Sequence, residues 1–297
     1  IEVFYDDGTS KCFEASSSFS VPKNATAIDI RKQNILTNLT LANPNCLVFT
    51  DDYSGIPSGV TTNIVKSGKS DNITLTDGYS FATPEKFTAT NISYTRTFTN
   101  GYRADGTGWT TICLPFDVES VKVKNGSTAT TIDWFHSNTD TGKSFWLREF
   151  SADNAPTMRF SPADKMLAKL PYIISFPDAN SGIGQTLIGK PVTFQGSNAV
   201  ITPAFRSQTL GYTYRLTGVT SSKTVNLGFG LNDGDTLFIK KSPLSVQAFR
   251  AYFDPVTTGA QSRAYLILAG ESQGVSDDPL EQEEKMEWVD IGLSVTW

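Results

Sequence analysis

The single histidine of the chain, His136 within Ile132-Asp-Trp-Phe-His136, limits its catalytic options at the outset. Any Ser-His-Asp triad would have to run through it, and a multi-histidine metal site is excluded. Paired carboxylates leave one hydrolytic route open, because a two-carboxylate glycosidase needs only two acids held across a cleft. The available pairs, Asp51 with Asp52 and Asp233 with Asp235, stand in turn-type contexts where Asp caps backbone amides. Asn232-Asp-Gly-Asp235 also has the oxygen-rich character that suits calcium. It lacks the ligand series of an EF-hand, and a hairpin turn accounts for the same residues. Leu227-Gly-Phe-Gly230 has neither the Lys-Ser/Thr ending nor the following helix of a phosphate loop.

The three cysteines, Cys12, Cys46 and Cys113, cannot all pair within one chain, and none has a Cys-x-x-Cys partner. A bridge between Cys12 and Cys46 stays open, while burial as apolar thiols is the simpler expectation. Cys113, inside Trp109-Thr-Thr-Ile-Cys-Leu-Pro-Phe116, fits burial well. Asn-x-Ser/Thr triplets begin at Asn24, Asn38, Asn72, Asn91 and Asn125, as chance allows in so Thr-rich a chain. Taken together, these residues read as a non-catalytic protein with no metal and no cofactor.

Aromatic residues give the one lead toward binding, since exposed Trp and Tyr faces stack on sugars or anchor protein partners. In Ser144-Phe-Trp-Leu-Arg148, strand alternation puts Phe145 and Leu147 on the apolar face. Trp146 is then expected outward with Ser144 and Arg148, which makes these residues the candidate ligand-binding set. Trp134 aligns with Ile132 and is expected in the core, and Trp109 beneath a loop.

The elements that must position these residues are short β-type runs, rich in β-branched and aromatic residues and punctuated by Gly, Asn, Asp and Pro. Ile1–Tyr5, Ala27–Ile30, Cys46–Thr50, Ser93–Thr99 and Ile112–Phe116 are examples. Between Ile92 and Phe98, Ile92, Tyr94, Arg96 and Phe98 share one face and Ser93, Thr95 and Thr97 the other. The Arg96 head group must therefore snorkel from the core at a sheet edge or find a carboxylate. The best helical stretch, Pro162–Leu170, is stopped by Pro171 and amounts to one or two turns at most.

The pattern predicts an all-β fold in which an irregular, solenoid-like or small-sheet N-terminal region packs on a β-sandwich. Residues 1–85 carry uneven rungs linked by turns such as Asn43-Pro-Asn45, and each rung alone buries too little surface. Residues 86–270 carry longer runs at sandwich-like intervals, with hairpin cues at Asn100-Gly101, Asn125-Gly126 and Asp233-Gly234. Residues 271–297 read as an acidic linker running into the truncated start of a further domain.

Hydrophobic residues make up 39% and charged residues only 19%, so long exposed helices are not expected. The net charge of −5 is concentrated in Glu271–Asp290, where eight acidic residues face Lys285 alone and the rest of the chain is near +2. Nucleic acid is therefore not an expected partner. No uncharged apolar run is long enough to span a bilayer. A start at Ile1 without a basic and apolar leader reads as a piece of a larger precursor, with any export signal or anchor upstream.

Tyr94-Thr-Arg-Thr-Phe98 followed by Gly108-Trp-Thr-Thr-Ile-Cys-Leu-Pro-Phe116 resembles the non-repeat modules of BspA-like surface proteins of Bacteroides and its relatives. Asn43-Pro-Asn-Cys46, Leu75-Thr-Asp-Gly78, Leu170-Pro-Tyr-Ile-Ile174 and Ala248-Phe-Arg-Ala-Tyr252 extend the likeness. Glu287-Trp-Val-Asp-Ile-Gly-Leu-Ser-Val-Thr-Trp297 resembles the opening of a Fibrobacter succinogenes major paralogous domain. The resemblance implies export to the extracellular face or outer membrane of a Gram-negative bacterium and a role in adhesion. The partner would be a host protein, a glycan or a sibling surface subunit. A carbohydrate-binding or glycan-processing protein and a fimbrial-type subunit are the alternatives, the last requiring strand exchange through Trp288–Trp297.

Overall fold

A computed structural model describes residues 1–14, 16–51, 55–102, 108–137, 139–154, 157–203, 207–209, 214–231, 237–255 and 263–268. Asp52, Asp233, Asp235, the Asn232–Asp235 turn and all of 271–297 lie outside them. The described residues form strands and turns without a helix, as the all-β expectation requires. None therefore forms a helix long and apolar enough to cross a membrane.

The N-terminal part is a small coil of parallel rungs. Strands β3 (Ser18–Val21) and β5 (Asn38–Leu41) make one wall, and Ser58 bridges Asn38, so that Ser18, Asn38 and Ser58 stand in a column. The opposite wall is β4 (Ala25–Asp29), β6 (Leu47–Thr50) and β7 (Ile64–Lys66), also parallel. Val21, Ile28, Leu39 and Val48 fill the space between the walls. The coil's rungs repeat poorly in sequence because the last turn is shorter: Ala27 pairs with Leu47, but Val48 with Ile64.

Each turn is held by a buried asparagine, because a buried backbone group must be paired. Asn43 Nδ2 donates to Ala25 O at 2.7 Å and to Ser80 O at 2.9 Å. Asn45 Oδ1 accepts from Thr76 N at 2.7 Å, while its Nδ2 donates to Thr76 O and Tyr79 O. Asn63, at φ 60°, accepts from Thr74 N at 2.7 Å and donates to Pro44 O. Asn tolerates the left-handed region better than other non-glycine residues.

The coil's second wall belongs to a larger sheet. From one edge it runs β2 (Ser10–Cys12), β1 (Glu2–Tyr5), β4, β6, β7, β8 (Lys69–Thr76) and β9 (Phe87–Thr97). It ends with β18 (Pro191–Ile201), β12 (Ser120–Asn125) and β13 (Thr128–Ile132). The change in sequence character near residue 85 thus falls between β8 and β9, which pair over seven register positions from Lys69–Thr88 to Thr76–Thr95. The Asn125-Gly126 hairpin forms as expected between β12 and β13.

A second sheet contains β10 (Gly101–Tyr102), β17 (Pro171–Pro177), β15 (Phe145–Asn154), β16 (Thr157–Pro162) and β26 (Arg263–Leu268). It continues through β23 (Leu237–Lys241), β22 (Gly228–Leu231), β25 (Arg250–Pro255), β20 (Tyr214–Val219) and β19 (Ser207–Thr209). Strands β11 (Thr110–Cys113) and β14 (Trp134–Phe135) pair with β17 and β15 respectively. The sheet rolls until β20 and β25 meet β11 and β17. Thr111 Oγ1 ties the seam, accepting from Ala251 N at 2.9 Å and donating to Ala251 O at 3.1 Å. A two-stranded flap of β21 (Lys223–Val225) and β24 (Leu244–Val246) completes the described strands.

Two large cores result. Between the layers, Leu47, Phe87, Tyr94 and Phe194 of the first sheet meet Leu147, Tyr172, Ile174 and Phe176 of the second. Inside the roll lie Trp109, Trp146, Phe160, Ile173, Phe238 and Phe253. Strand β17 is buried at every position because its alternate residues enter different cores.

Two local expectations are corrected. Asn100-Gly101 is not a hairpin: β10 runs parallel to β17, and a Cβ on Gly101 would stand 2.6 Å from Asp178 Cβ. Pro162–Leu170 forms no helical turn; Pro162 ends β16, and Lys169 takes φ 63°. Side chains satisfy two of its amides, with Tyr172 Oη accepting from Leu167 N at 2.9 Å and Asp117 Oδ1 from Ala168 N at 2.6 Å.

Candidate functional site

The residues expected to face outward on β15 do not. Phe145 and Leu147 enter the interlayer core as alternation requires, but the other face points into the roll. Trp146 is only 9% exposed and stacks on Phe135 with centroids 5.2 Å apart and planes at 22°. Arg148 is 2% exposed, with its guanidinium 5.7 Å from the Trp109 ring centroid. Ser144 is half-buried, and its N–H donates to Asp133 O at 2.9 Å. The alternation was correct; a second layer over the other face is what local sequence does not reveal. Trp134 is buried in the interlayer core as expected, donating Nε1–H to Ala163 O at 2.8 Å, and Trp109 is fully buried inside the roll.

His136 has both ring nitrogens engaged. Nε2 lies 3.2 Å from Asp133 Oδ1, and Nδ1 lies 3.1 Å from Asp164 O. Lys143 Nζ donates to the other Asp133 oxygen, and Ser137 Oγ donates to Asp140 Oδ1 at 2.9 Å. Burial pushes the Asp133 carboxyl up, but Lys143 and the Trp134 N–H outweigh it and hold it below the ordinary range. The cluster is a pinned surface turn. Gly270-Glu-Ser-Gln-Gly274 has the spacing of a nucleophile elbow; it lies outside the described residues and runs into an acidic stretch containing Pro279.

The cysteines are free, with Cys46 and Cys113 buried and Cys12 exposed, so Cys12 and Cys46 do not pair. Burial pushes the Cys46 thiol up to about 12 and raises that of Cys113 as well, which suits inert packing over reactivity. No cluster of His, Cys, Asp and Glu able to hold a metal occurs among the described residues.

Arg96 meets a carboxylate instead of snorkelling. Asp77, in the turn after β8, accepts from Tyr94 Oη at 2.5 Å and from an Arg250 guanidinium nitrogen at 2.9 Å, and Arg96 Nε lies 3.8 Å from it. Arg96 also donates to Thr110 Oγ1 at 3.0 Å and Thr111 O at 3.3 Å. The group ties β9 of one layer to β11 and β25 of the other. Burial works to raise the Asp77 carboxyl, but Arg250, Tyr94 and Arg96 outweigh it and hold it below its ordinary value. Burial raises the Tyr94 hydroxyl.

Where the layers part at one end, a cleft of about 370 Å3 opens. Phe81–Thr83, between β8 and β9, forms one wall, and Thr217–Ser221, leaving β20, forms the facing wall. Phe81 N donates to Thr220 O at 2.9 Å and Ser221 Oγ to Phe81 O at 3.2 Å, so the walls are bonded across the seam. Ile201–Pro203, at the end of β18, and Pro115, after β11, close the remaining sides. Lys169 lies at its base, 8% exposed, with Nζ donating to Thr202 O at 2.9 Å and to Thr202 Oγ1. The left-handed backbone at Lys169 is held by its N–H, 2.6 Å from Leu114 O. Lys223, at the rim, is exposed and sits 5.5 Å from the Tyr252 ring centroid. Among the described residues, the lining carries two lysines and five hydroxyl residues but no Asp, Glu, His or Cys.

Sequence reasoning missed this cleft because its residues come from five separated segments, each an ordinary strand end or loop. Compared with family models, curated proteins and solved structures, the chain has no match.

Proposed function

We propose that this chain is a non-catalytic binding module of a secreted or cell-surface bacterial protein, and that the interlayer cleft is its ligand site. The observation that carries the reading is the cleft's construction. Its volume of about 370 Å3 falls within the roughly 300–1,000 Å3 of small-molecule sites, and both layers contribute walls that are hydrogen-bonded to each other. A site assembled this way is fixed before ligand arrives, which lowers the ordering cost of binding. Among the described residues its polar side chains are ammonium and hydroxyl groups, suited to recognition, without a carboxylate pair for acid–base hydrolysis. The envelope setting is supported by the resemblance carried by Tyr94–Phe98, Gly108–Phe116 and Leu170–Ile174 to surface-protein modules. The ligand is then a glycan or a protein partner displayed outside the cell.

A glycan and host-protein array probed with the purified chain tests the reading, paired with reducing-end assays on the polysaccharides it retains. Saturable binding without hydrolysis is the expected result. Hydrolysis of a bound polysaccharide that is abolished by replacing Asp51 or Asp52 would establish the glycosidase alternative instead.

A further inference from the structure

The outer edge of the first sheet is a second surface, separate from the cleft and independent of its role. Of the four ends of the two large sheets, three are blunted by length: β2 has three residues, one of them Lys11, β10 has two and β19 three. The fourth, β13, is five residues long, Thr128-Ala-Thr-Thr-Ile132, with neither charge nor proline, and its first four residues are exposed. Such an edge is a template for another strand.

Strands β12 and β13 are joined by Gly126 and Ser127 alone, in the register Asn125–Thr128, Lys124–Ala129, Val123–Thr130 and Lys122–Thr131. The pair that closes a two-residue hairpin exchanges both ladder bonds, and bonding alternates from there. Thr128, Thr130 and Ile132 therefore turn their backbone groups toward β12, while Ala129 and Thr131 turn theirs outward. Among the described residues no strand lies beyond them. The two faces of the edge differ. Val121 and Val123 enter the interlayer core and Ile132 packs against it, so the row through Thr130 lies on the apolar side. Lys122 and Lys124 stand on the solvent side, opposite Thr131 and Ala129. Neither ammonium bonds to a described group. The nearest carboxylates along the chain are already engaged, Glu119 by Ser197 Oγ at 2.9 Å and Asp133 by Lys143. A residue added opposite Ala129 or Thr131 would lie two strand spacings, about 10 Å, from the lysine, across one small side chain. An extended Lys and an extended Glu together close that gap.

We infer that β13 accepts an added antiparallel strand from a partner protein, an unpaired extended segment with acidic residues at alternate positions and β-branched residues between them. Ala129 and Thr131 exchange ladder bonds with the acidic residues, whose side chains meet Lys124 and Lys122. The β-branched residues cover Thr130 and Ile132. A folded protein whose strands are already paired does not qualify.

Fluorescence anisotropy of the labelled peptide Thr-Val-Glu-Val-Glu-Val-Thr, titrated with the full chain, tests this. The account predicts saturable binding, at least about tenfold weaker binding when both Glu are replaced by Lys, and none when both Glu are N-methylated and their ladder donors are gone. Thr131→Pro removes an outward N–H, spares the ladder to β12, and weakens binding by at least about tenfold. The double variant Lys122→Glu with Lys124→Glu reverses the preference and takes the Lys peptide over the Glu peptide. It decides the matter should Thr131→Pro unfold. Ala82→Trp, whose side chain fills the cleft, leaves peptide binding as it was, so the edge and the cleft are tested separately. No binding of the Glu peptide, equal binding of the Lys peptide by wild type, indifference to N-methylation, or loss of binding in Ala82→Trp overturns the inference. Sedimentation of the chain alone is expected to show a monomer. Self-association that Thr131→Pro abolishes would overturn the inference too and assign the edge to a second copy of the chain.

Discussion

Asp77 is the carboxylate on which Arg250, Arg96 and Tyr94 converge, and it joins the two layers. Removing its charge leaves two guanidinium groups together, with Arg96 largely buried. The loss for Asp77→Asn should be about 2–3 kcal/mol, short of the roughly 3–5 of a fully buried pair, because the Asp77 side chain is 26% exposed. Urea melts at neutral pH read it directly. The pH dependence has a definite sign. The folded carboxyl sits below its ordinary value, so its stabilisation is complete above the unfolded value near ~3.9 and is lost as pH falls through the lower folded value. The gap between wild type and Asp77→Asn should therefore close in melts carried below about pH 4. A gap unchanged down to pH ~2 would mean the charge is not what matters. That Arg96 had either to snorkel at a sheet edge or to find a carboxylate was legible from its place among Ile92, Tyr94 and Phe98. Which carboxylate was not, since Asp77 reaches it through strand pairing and not through spacing.

At the scale of elements, the asparagine turns carry the coil. Asn63 combines φ 60° with three hydrogen bonds, one to Pro44 in the neighbouring turn and two to Thr74 on β8. Asn63→Gly loses the bonds but accepts the backbone, whereas Asn63→Ala loses both, so Ala should be the more destabilising by about 1 kcal/mol in urea melts. Equal losses would show that the backbone conformation is not under strain. On β18, Gly196 lies against the connection between β11 and β12, where a Cβ would stand 2.5 Å from Asp117 O and 2.8 Å from Phe116 Cδ2. Gly196→Ala should lower the thermal midpoint by several degrees, in line with about 1–3 kcal/mol for an overpacked position. The strands themselves were largely readable, because β-branched runs and punctuating turns are local signals: Ile1–Tyr5 became Glu2–Tyr5, and Ala27–Ile30 became Ala25–Asp29. Orientation was readable only where one face is wet. Trp146 was misplaced because β15 has a core on each side, and the second is built by strands about a hundred residues away, such as Phe253 on β25.

Across the whole molecule, the coil of parallel rungs lies before residue 85, yet β8 and β9 pair across that point and one core joins the coil's sheet to the second sheet. Unfolding should accordingly be one transition. Trp134 reports the interlayer core and Trp146 the inside of the roll, so single-Trp variants retaining either one should share a denaturation midpoint. Midpoints that separate would make the roll an independent unit. The cleft depends on the same unity, since its walls belong to different layers and exist only while these are joined. No reading of isolated segments would have located it. The most direct test of its role compares wild type with Ala82→Trp on one glycan and protein array, after matched melts show both are folded. The account predicts that the ligands retained by wild type are lost by Ala82→Trp. An unchanged binding profile would contradict it.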